Sequence, residues 1–191
     1  MADAQLSFAP VTPDTWPDFE TLFGANGACA GCWCMWWRLS RAEWTRNQYE
    51  GNRQAMRALV EAGHVPGLLA YRDGVPVGWC SVAPREEFPV LDRSRPLQGV
   101  DDQPVWSIVC FYIKPKQRRG GLSRALIEAA LDWARRNGAA IVEAYPVDKA
   151  EKFSSGGAYT GVASTFRSAG FVEVARRSPT RPVMRYEFVK G

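Results

Sequence analysis

The sequence predicts one α/β domain over residues 1–191, with a mixed central sheet of about six to seven strands. A strand, a helix and a second strand follow one another between residues 105 and 145, and such a unit joins parallel neighbours through a right-handed crossover. Hairpin signals on either side of this unit add antiparallel strands. A chain of 191 residues, of which 46% are hydrophobic and 23% charged, is long enough to bury one full core.

The N-terminal third of the chain is predicted to be mainly helical. A short strand comes first, followed by a helix that ends at Gly24. Ser40 and Glu43 form a capping-box pattern, so a helix should begin near Arg41. The next helix carries its apolar residues on one face and ends at Gly63. These elements cover residues 5–9, 14–23, about 41 onward, and 52–62.

Two short apolar segments, residues 67–71 and 75–82, are separated by Arg-Asp-Gly, which indicates a β-hairpin. Residues 83–102 are rich in proline and charge and are predicted to form a long loop. Long loops inside compact domains often carry function.

The C-terminal half is predicted to alternate between strands and helices. Its longest helix, residues 123–137, has one apolar stripe and ends at Gly138. The stripe consists of Leu122, Leu126, Ala129 and Trp133. The other elements are strands at 105–113 and 139–145, a helix at 162–169, and a final strand pair at 171–175 and 183–188.

The stretch between the strand at 105–113 and the long helix is unusually cationic. It carries Lys114, Lys116, Arg118 and Arg119, followed by two adjacent glycines. A helix N-terminus presents unpaired N–H groups and about half a unit of positive charge, and it binds anions. Glycines let a phosphate approach the backbone closely, and guanidinium groups suit its oxygens. The stretch therefore predicts a pyrophosphate cradle, although both the Walker spacing and the GxGxxG pattern are missing.

A different loop pattern does fit: Arg or Gln, two residues, Gly, one residue, then Gly or Ala. The chain reads Arg118-Arg119-Gly120-Gly121-Leu122-Ser123 at this place. On this motif it resembles the GNAT superfamily of acyl-CoA-dependent N-acetyltransferases. Ile113-Lys114-Pro115 before the loop and Gly170-Phe171 after it also resemble the family pattern. The resemblance covers residues 106–174, and the N-terminal third matches only in the order of its elements.

The resemblance implies a fold in which two central parallel strands splay apart, with helices on both faces of the sheet. It implies acetyl-CoA as acyl donor, with the pantetheine arm paired to the first splayed strand and the pyrophosphate on the amides of residues 118–123. A strand N–H near Tyr112 would stabilise the oxyanion, and the amine would attack the thioester without an enzyme nucleophile. The expected cofactor-binding residues are Phe111, Tyr112, Ile113, Arg118, Arg119, Gly120, Gly121, Leu122, Ser123 and Phe166.

Three positions depart from the family pattern. Ser123 stands where Gly or Ala is usual, and Tyr159 stands where an asparagine is frequent. Phe166 stands where the family often has a tyrosine that protonates the departing thiolate. The acid's role therefore passes to another group or to water, and Tyr159 is the candidate substitute.

The amine must lose a proton before it can attack. Glu143, on the second splayed strand, is the candidate base, and Glu86 and Glu87 in the long loop are candidate substrate-binding residues that would attract a cationic amine. A plain surface position is the alternative for each of these three carboxylates.

Residues 27–38 concentrate cysteine and tryptophan. Cys29, Cys32 and Cys34 have CxxCxC spacing, but a zinc site needs four ligands. The remaining Cys and His residues are Cys80, Cys110 and His64. Small buried thiols beside aromatic rings, and no metal, are therefore expected.

Trp33 and Trp37 lie in the region where the family builds its acceptor pocket, and their four-residue spacing predicts a shared helical face. Because indole faces attract ammonium groups, both are candidate substrate-binding residues, with core packing as the alternative.

The composition sets further expectations about partners and location. A net charge of +4 suits a site that receives an anion but does not demand a nucleic-acid partner. No apolar run approaches the roughly 18–20 residues that span a bilayer, and MADAQLSFAP does not resemble a secretory signal. A cytoplasmic monomer or homodimer is expected.

The sequence thus predicts an acetyl-CoA-dependent N-acetyltransferase that acts on the amine of a small molecule or peptide. Two alternatives stay open: a CoA-binding regulatory domain without turnover, suggested by Phe166, and a Cys-rich metal-binding protein.

Overall fold

A computed structural model describes residues 5–148 and 159–189, which form a seven-stranded sheet with the order β1-β2-β3-β4-β5-β7-β6. The predicted mixed sheet is confirmed. The strands are β1 (Leu6–Pro10), β2 (Gly67–Arg72), β3 (Val75–Pro84), β4 (Trp106–Ile113), β5 (Ile141–Ala144), β6 (Val172–Arg176) and β7 (Pro182–Glu187). The helices are α1 (Trp16–Phe23), α2 (Arg41–Arg46), α3 (Glu50–Glu61), α4 (Pro89–Arg93), α5 (Leu122–Arg136) and α6 (Ala163–Ser168).

The two central strands, β4 and β5, run parallel, while the other neighbouring strands in the described residues pair antiparallel. Helix α5 lies between them in the chain and provides the crossover, as the strand–helix–strand pattern predicted. The parallel pairing covers only three residue pairs and ends at Ile108 and Ala144. Since β4 continues to Ile113, its last five residues lie beyond the end of β5.

A β-bulge lies in β4 where this separation begins. Ser81 pairs with Cys110 and Val82 pairs with Ile108, which leaves Val109 as an extra residue. A bulge bends its strand and increases the local twist. The bend directs the rest of β4 away from β5 and opens a gap between the two strands.

Both faces of the sheet are covered by helices. On one face, α5 and α6 supply buried residues such as Leu126, Ile127 and Phe166. On the other face, α1, α3 and the segment between α1 and α2 pack around Trp79, which is fully buried. Each large apolar side chain buried in this way stabilises the fold by about 1.5–3 kcal/mol. The helices of the described residues are all too short or too polar to span a bilayer.

Helix α2 begins at Arg41 with the predicted capping box. The Ser40 hydroxyl accepts the Glu43 N–H at 3.3 Å, and the Glu43 carboxylate accepts the Ser40 N–H at 3.0 Å. The prediction of a shared helical face for Trp33 and Trp37 is wrong, because the segment between α1 and α2 consists of turns. Its backbone has positive φ at Trp33 (45°) and at Cys34 (59°), which no α-helix accommodates.

The expectation of an open loop at residues 83–102 is also wrong. Strand β3 continues to Pro84, and the segment then folds into two 3₁₀ turns on either side of the short helix α4. Phe88, Leu91 and Leu97 are buried in a third apolar cluster, together with Trp37. The helical pieces are only three to five residues long, which is too short to show a 3.6-residue period in the sequence.

Candidate functional site

The loop between β4 and α5 presents a group of main-chain donors. In the residues that the structure describes, the N–H groups of residues 119–123 have no hydrogen-bond acceptor. Five adjacent donors at the N-terminus of a 15-residue helix favour an anion through direct hydrogen bonds and through the helix dipole. Lys114, Lys116 and Arg119 add positive charge, and none of them forms an ion pair with another described residue.

The backbone of this loop is shaped by two residues with positive φ, Arg119 (68°) and Gly121 (75°). Arg118 supports the loop, since its Nε donates to the carbonyl of Ile113 at 3.1 Å. The loop borders a cleft of about 250 Å³. Its lining residues are Ile113, Gln117, Arg118, Arg119, Gly121, Leu122, Ser123, Arg124 and Thr165.

A larger cleft of about 460 Å³ lies between β1 and the outer side of α5. Two carboxylates, Glu128 and Asp132, and one cation, Arg136, line it together with apolar residues, and it does not reach the end of β4. Carboxylates repel an anion, so the smaller cationic cleft is the better anion site.

The edge of β4 that β5 leaves unpaired lies beside the smaller, cationic cleft. The Lys114 N–H donates to Val77 on β3 at 3.0 Å. Because backbone groups alternate between the two edges of an antiparallel strand, the N–H of Tyr112 also faces β3, and those of Phe111 and Ile113 face the gap. The expected donor near Tyr112 is therefore one of its two neighbours, Phe111 or Ile113.

The Phe111 N–H has an internal partner. It donates to the carbonyl of Tyr159 at 2.6 Å. Tyr159 lies in the turn before α6, and its ring centroid is 6.4 Å from that of Trp37. The main chain at Tyr159 thus fills part of the gap between β4 and β5.

The Tyr159 hydroxyl keeps its proton at neutral pH. Burial raises the pKa of Tyr159 to about 12, although the positive charge of Arg181 opposes this shift. A phenol of this kind can donate a proton but not accept one. Phe166 has no exposed surface, since its ring packs edge-on against Phe111 (centroids 6.0 Å) and Phe171 (5.0 Å). Its predicted contact with the cofactor stays a prediction.

Glu143 is not placed to act as a base. It is fully buried and pairs in register with Arg185 on β7, whose Nε lies 2.8 Å from Glu143 Oε1. Its other oxygen accepts the Tyr145 hydroxyl at 2.7 Å and lies 3.4 Å from Arg85 Nη1. Both carboxylate oxygens are therefore engaged, and we assign Glu143 a structural role.

This ion-pair network reaches the segment between β3 and β4. Arg185 also binds Asp101 through two contacts of 2.6 and 2.8 Å, and the resulting hydrogen bonds lower the pKa of Asp101 below its usual range. Arg85 donates to Tyr145 and to Asp92. The contacts hold residues 85–101 against β5 and β7.

Sequence reasoning missed this network, although one signal was present. Glu143 and Arg185 each interrupt an apolar strand with a charge of opposite sign. Buried charges need partners, so this pattern indicates that both residues are paired, although it does not say with which partner.

The other residues predicted to bind the acceptor amine lie in different surroundings. Glu86 is exposed, and Glu87 is half-buried with Arg38 Nη1 at 2.5 Å and His64 Nδ1 at 3.6 Å. Trp33 packs in the core against Phe23, with ring centroids 5.7 Å apart. Trp37 belongs to a separate cluster beside Tyr159, so the structure does not bring the two tryptophans together.

All five cysteines are free thiols. Among the residues with described positions, no three or more Cys, His, Asp or Glu side chains are arranged to hold a metal ion.

Comparison with known proteins identifies relatives of this chain. The Acetyltransferase (GNAT) family profile matches residues 33–154, which is more than half of the chain. Aminoglycoside N(6')-acetyltransferase type 1 from Salmonella typhimurium is 22% identical over 103 residues. That alignment covers 54% of this chain and 66% of the relative, so the chain spans just under two thirds of the relative's length.

Two solved structures share the fold over nearly the whole chain. The aminoglycoside N-acetyltransferase AAC(6')-Iy in complex with CoA has a TM-score of 0.56 and 16% identity, and the match covers 92% of this chain and 93% of that one. The PaiA N-acetyltransferase from Thermoplasma acidophilum in complex with coenzyme A has a TM-score of 0.54 and 12% identity, with 96% and 99% covered. These similarities show that the chain shares the fold of these two proteins.

Proposed function

The chain belongs to the acetyltransferase (GNAT) family, and we propose on this basis that it transfers the acetyl group of acetyl-CoA to an amine nitrogen. One observation carries the proposal: the N–H groups of residues 119–123, which have no acceptor among the described residues, lie at the N-terminus of α5, beside the edge of β4 that β5 leaves unpaired after Ile108. This arrangement offers an anion site at one end and a strand edge leading away from it, which suits a ligand with a diphosphate and an amide-containing arm.

The diphosphate of the donor would bind the amides of residues 119–123. Arg119 and Lys116 would supply positive charge there, while Arg118 holds the loop through its bond to Ile113. Hydrogen bonds to charged groups contribute about 1.5–3 kcal/mol each, so a few of them suffice for micromolar binding. A Cβ at residue 121 would meet no protein atom within 4 Å, so the space beside the first turn of α5 is open to a phosphate.

The arm of the donor would pair with the outward backbone groups of Phe111 and Ile113. The Phe111 N–H is then the donor for the oxyanion that forms when the amine attacks the thioester carbon. Because this N–H donates to Tyr159 in the free protein, the acyl group must displace the Tyr159 carbonyl when it binds.

The proton steps follow from the same geometry. The attacking amine must lose a proton, and Glu143 is enclosed by its arginine partners, so the proton leaves to water or to Glu86 at the surface. Tyr159 is protonated at neutral pH and is our candidate acid for the departing thiolate. In this role Tyr159 would take the place of the tyrosine that the family often has at the position of Phe166.

We propose an amine on a small molecule or a peptide as the acceptor. The relatives named as aminoglycoside acetyltransferases make an aminoglycoside the first amine to try. Glu86 at the surface would attract a cationic amine, and Trp37 beside Tyr159 would offer it an aromatic face.

A CoA-binding domain without turnover is the second candidate. It is favoured by the Phe111–Tyr159 hydrogen bond, which uses the donor that the oxyanion needs, and by the absence of a hydroxyl at Phe166. In that case the diphosphate site would bind CoA, but the acyl group would not reach Phe111.

Two measurements on the purified chain separate these candidates. Calorimetry with CoA tests the anion site, and release of the CoA thiol from acetyl-CoA with a panel of amines tests turnover. Binding with amine-dependent thiol release supports the acetyltransferase, and binding without release under any amine supports the second candidate. If CoA gives no binding heat at any temperature and no thermal stabilisation, both candidates are refuted.

A further inference from the structure

The turn between β6 and β7 ends on an arginine without a charge partner in the described chain. The turn comprises residues 177–181, and Arg181 is half-buried at its end. No described residue accepts a hydrogen bond from its guanidinium or lies within ion-pair distance of it. The other arginines among residues 159–189 each have at least one acceptor. They are Arg167, Arg176, Arg177 and Arg185.

The register of β5 and β7 fixes the face of the sheet on which Arg181 lies. In β7, Val183 packs in the third apolar cluster, which also contains Tyr159. The Asp148 N–H donates to the Thr180 carbonyl at 2.9 Å, so the pairing of β5 with β7 continues in the same register past the end of β5. Because side chains alternate along a strand, Arg181 lies on the same face as Val183.

This face is the one that the acceptor would approach. Helix α5 packs against the opposite face, and the loop that would bind the diphosphate lies at the start of α5. A ligand group that binds Arg181 would therefore belong to the acceptor and not to the diphosphate of the donor.

Two groups beside Tyr159 lack acceptors in the described chain. The Trp37 indole N–H is buried without a partner, and its ring centroid is 6.4 Å from that of Tyr159. Arg181 is the second group: burial lowers its pKa, and the charge interaction with Tyr159 opposes that shift. Donors that are buried without acceptors cost free energy, so an anionic group of a ligand beside Tyr159 would stabilise this region.

We propose that Arg181 binds a carboxylate of the acceptor, so that the substrate is an amine that also carries a carboxylate, such as an amino acid or a peptide. This inference rests on the proposed function and names its acceptor class. The planar fork of a guanidinium matches the two oxygens of a carboxylate. Tyr159 connects the two ends of such an acceptor, since its carbonyl lies at the Phe111 N–H and its side chain lies near Arg181. A small molecule can therefore place its amine at the thioester and its carboxylate at Arg181.

Arg181 could instead act on the reaction through Tyr159, because a cation favours loss of the phenol proton. The two roles differ in their kinetics. Loss of a group that assists the acid lowers kcat for every amine alike. Loss of a group that recognises a carboxylate raises KM mainly for acceptors that carry one.

The test measures release of the CoA thiol from acetyl-CoA with matched pairs of acceptors. Each standard L-amino acid, and a set of dipeptides, is compared with its own C-terminal amide, which keeps the side chain and the amine but lacks the negative charge. We expect at least one acid to react with a kcat/KM about 10–150-fold above that of its amide. Amides that react as well as their acids would overturn the proposal.

Variants assign the preference to Arg181. In Arg181→Gln the ratio of acid to amide should fall to about one, through a higher KM for the acids, and Arg181→Lys should recover part of it. Arg177→Gln removes the same charge from the same turn, where the guanidinium donates to the carbonyls of Gln98 and Gly99, and it should keep the ratio. An equal loss of kcat for acids and amides in Arg181→Gln would overturn the proposal in favour of a role through Tyr159.

Calorimetry separates this proposal from the transferase activity. The same acids and amides are titrated into the full chain saturated with CoA, which needs no turnover. Binding of an acid that is lost in its amide and in Arg181→Gln supports the carboxylate site even when no amine releases thiol. Turnover of amides alone would leave the transferase standing and overturn the carboxylate site. The carboxylate site is also overturned when no acid of the set binds or reacts.

Discussion

Replacing Gly121 by alanine tests the anion site directly, because the same helix offers a matched control. Gly121 before α5 and Gly138 after it both have positive φ, 75° and 86°, and a Cβ at either one would meet no atom within 4 Å. Of these two residues, only Gly121 lines the cleft beside Arg119. The two substitutions therefore introduce similar strain, but only one places a methyl group in the site.

The expected magnitudes separate the two effects. A non-glycine residue in the left-handed region costs about 1–2 kcal/mol, so both variants should lose a similar amount of stability. For a chain of this size each kcal/mol lowers Tm by about 2–4 °C. At Gly121 the methyl group also prevents close approach of a phosphate and removes one hydrogen bond to a charged group, about 1.5–3 kcal/mol. The Kd for CoA should therefore rise by about 10–150-fold.

Thermal unfolding and calorimetry with CoA measure the two quantities on the same samples. Gly121→Ala and Gly138→Ala should unfold at similar temperatures, and Gly138→Ala should bind CoA as the unmodified chain does. Equal CoA affinity for both variants would falsify the assignment of the diphosphate to the start of α5. A loss of affinity in both would mean that strain in α5, and not contact with the ligand, controls binding.

Three further substitutions test separate parts of the site. Arg119→Ala should weaken CoA binding and flatten its dependence on salt, measured by calorimetry, whereas Arg136→Ala at the far end of α5 should change neither, because screened charges act over only about 10 Å. Glu143→Gln should lower the free energy of unfolding in urea by about 3–5 kcal/mol, since it removes the buried carboxylate charge that pairs with Arg185, while Glu86→Gln should leave stability unchanged. Tyr159→Phe should lower kcat by about 100-fold or more with an unchanged Kd for CoA. The wild-type chain should show a phenolate absorbance change near pH 12 that the variant lacks, because burial raises the pKa of Tyr159 to about 12. Since the unfolded chain loses this proton near pH 10, the stability that Tyr159 contributes is full below pH 10 and is lost as the pH rises to about 12.

The parts of the fold that the sequence predicts well are those that depend on residues close together in the chain. The capping box at Ser40 and Glu43 needs only four consecutive positions, and the hairpin between β2 and β3 needs only its turn residues. The cationic loop before α5 is equally local, and the prediction that it binds an anion depends on Arg118 to Ser123 alone. The structure adds that the N–H groups of residues 119–123 have no acceptor among the described residues.

The parts that sequence could not predict depend on contacts between distant residues. The engagement of Glu143 by Arg185 requires β5 and β7 to be neighbours in one particular register. The packing of Phe88 and Leu91 into a core requires short helical pieces whose pattern is hidden by proline and charge. The hydrogen bond from the Trp79 indole to the Cys34 sulfur joins β3 to the turn segment between α1 and α2.

The edge of β4 that β5 leaves unpaired connects the contacts between distant residues to the proposed chemistry. A strand edge that faces a gap must find hydrogen-bond partners, and the chain supplies one from Tyr159 when no ligand is present. Acyl-CoA can replace that bond without net loss, because its own carbonyl accepts from the same Phe111 N–H. Moving the turn at Tyr159 still costs free energy, and this must come from contacts made by another part of acyl-CoA. The diphosphate on the amides of residues 119–123 is the available source, since those donors have no partner in the described chain and exchange only hydrogen bonds to water when they bind. Binding of the diphosphate at the start of α5 would therefore supply the free energy with which the acyl carbonyl replaces the Tyr159 carbonyl at the Phe111 N–H. The diphosphate end of acyl-CoA would in this way open the oxyanion site for the thioester end.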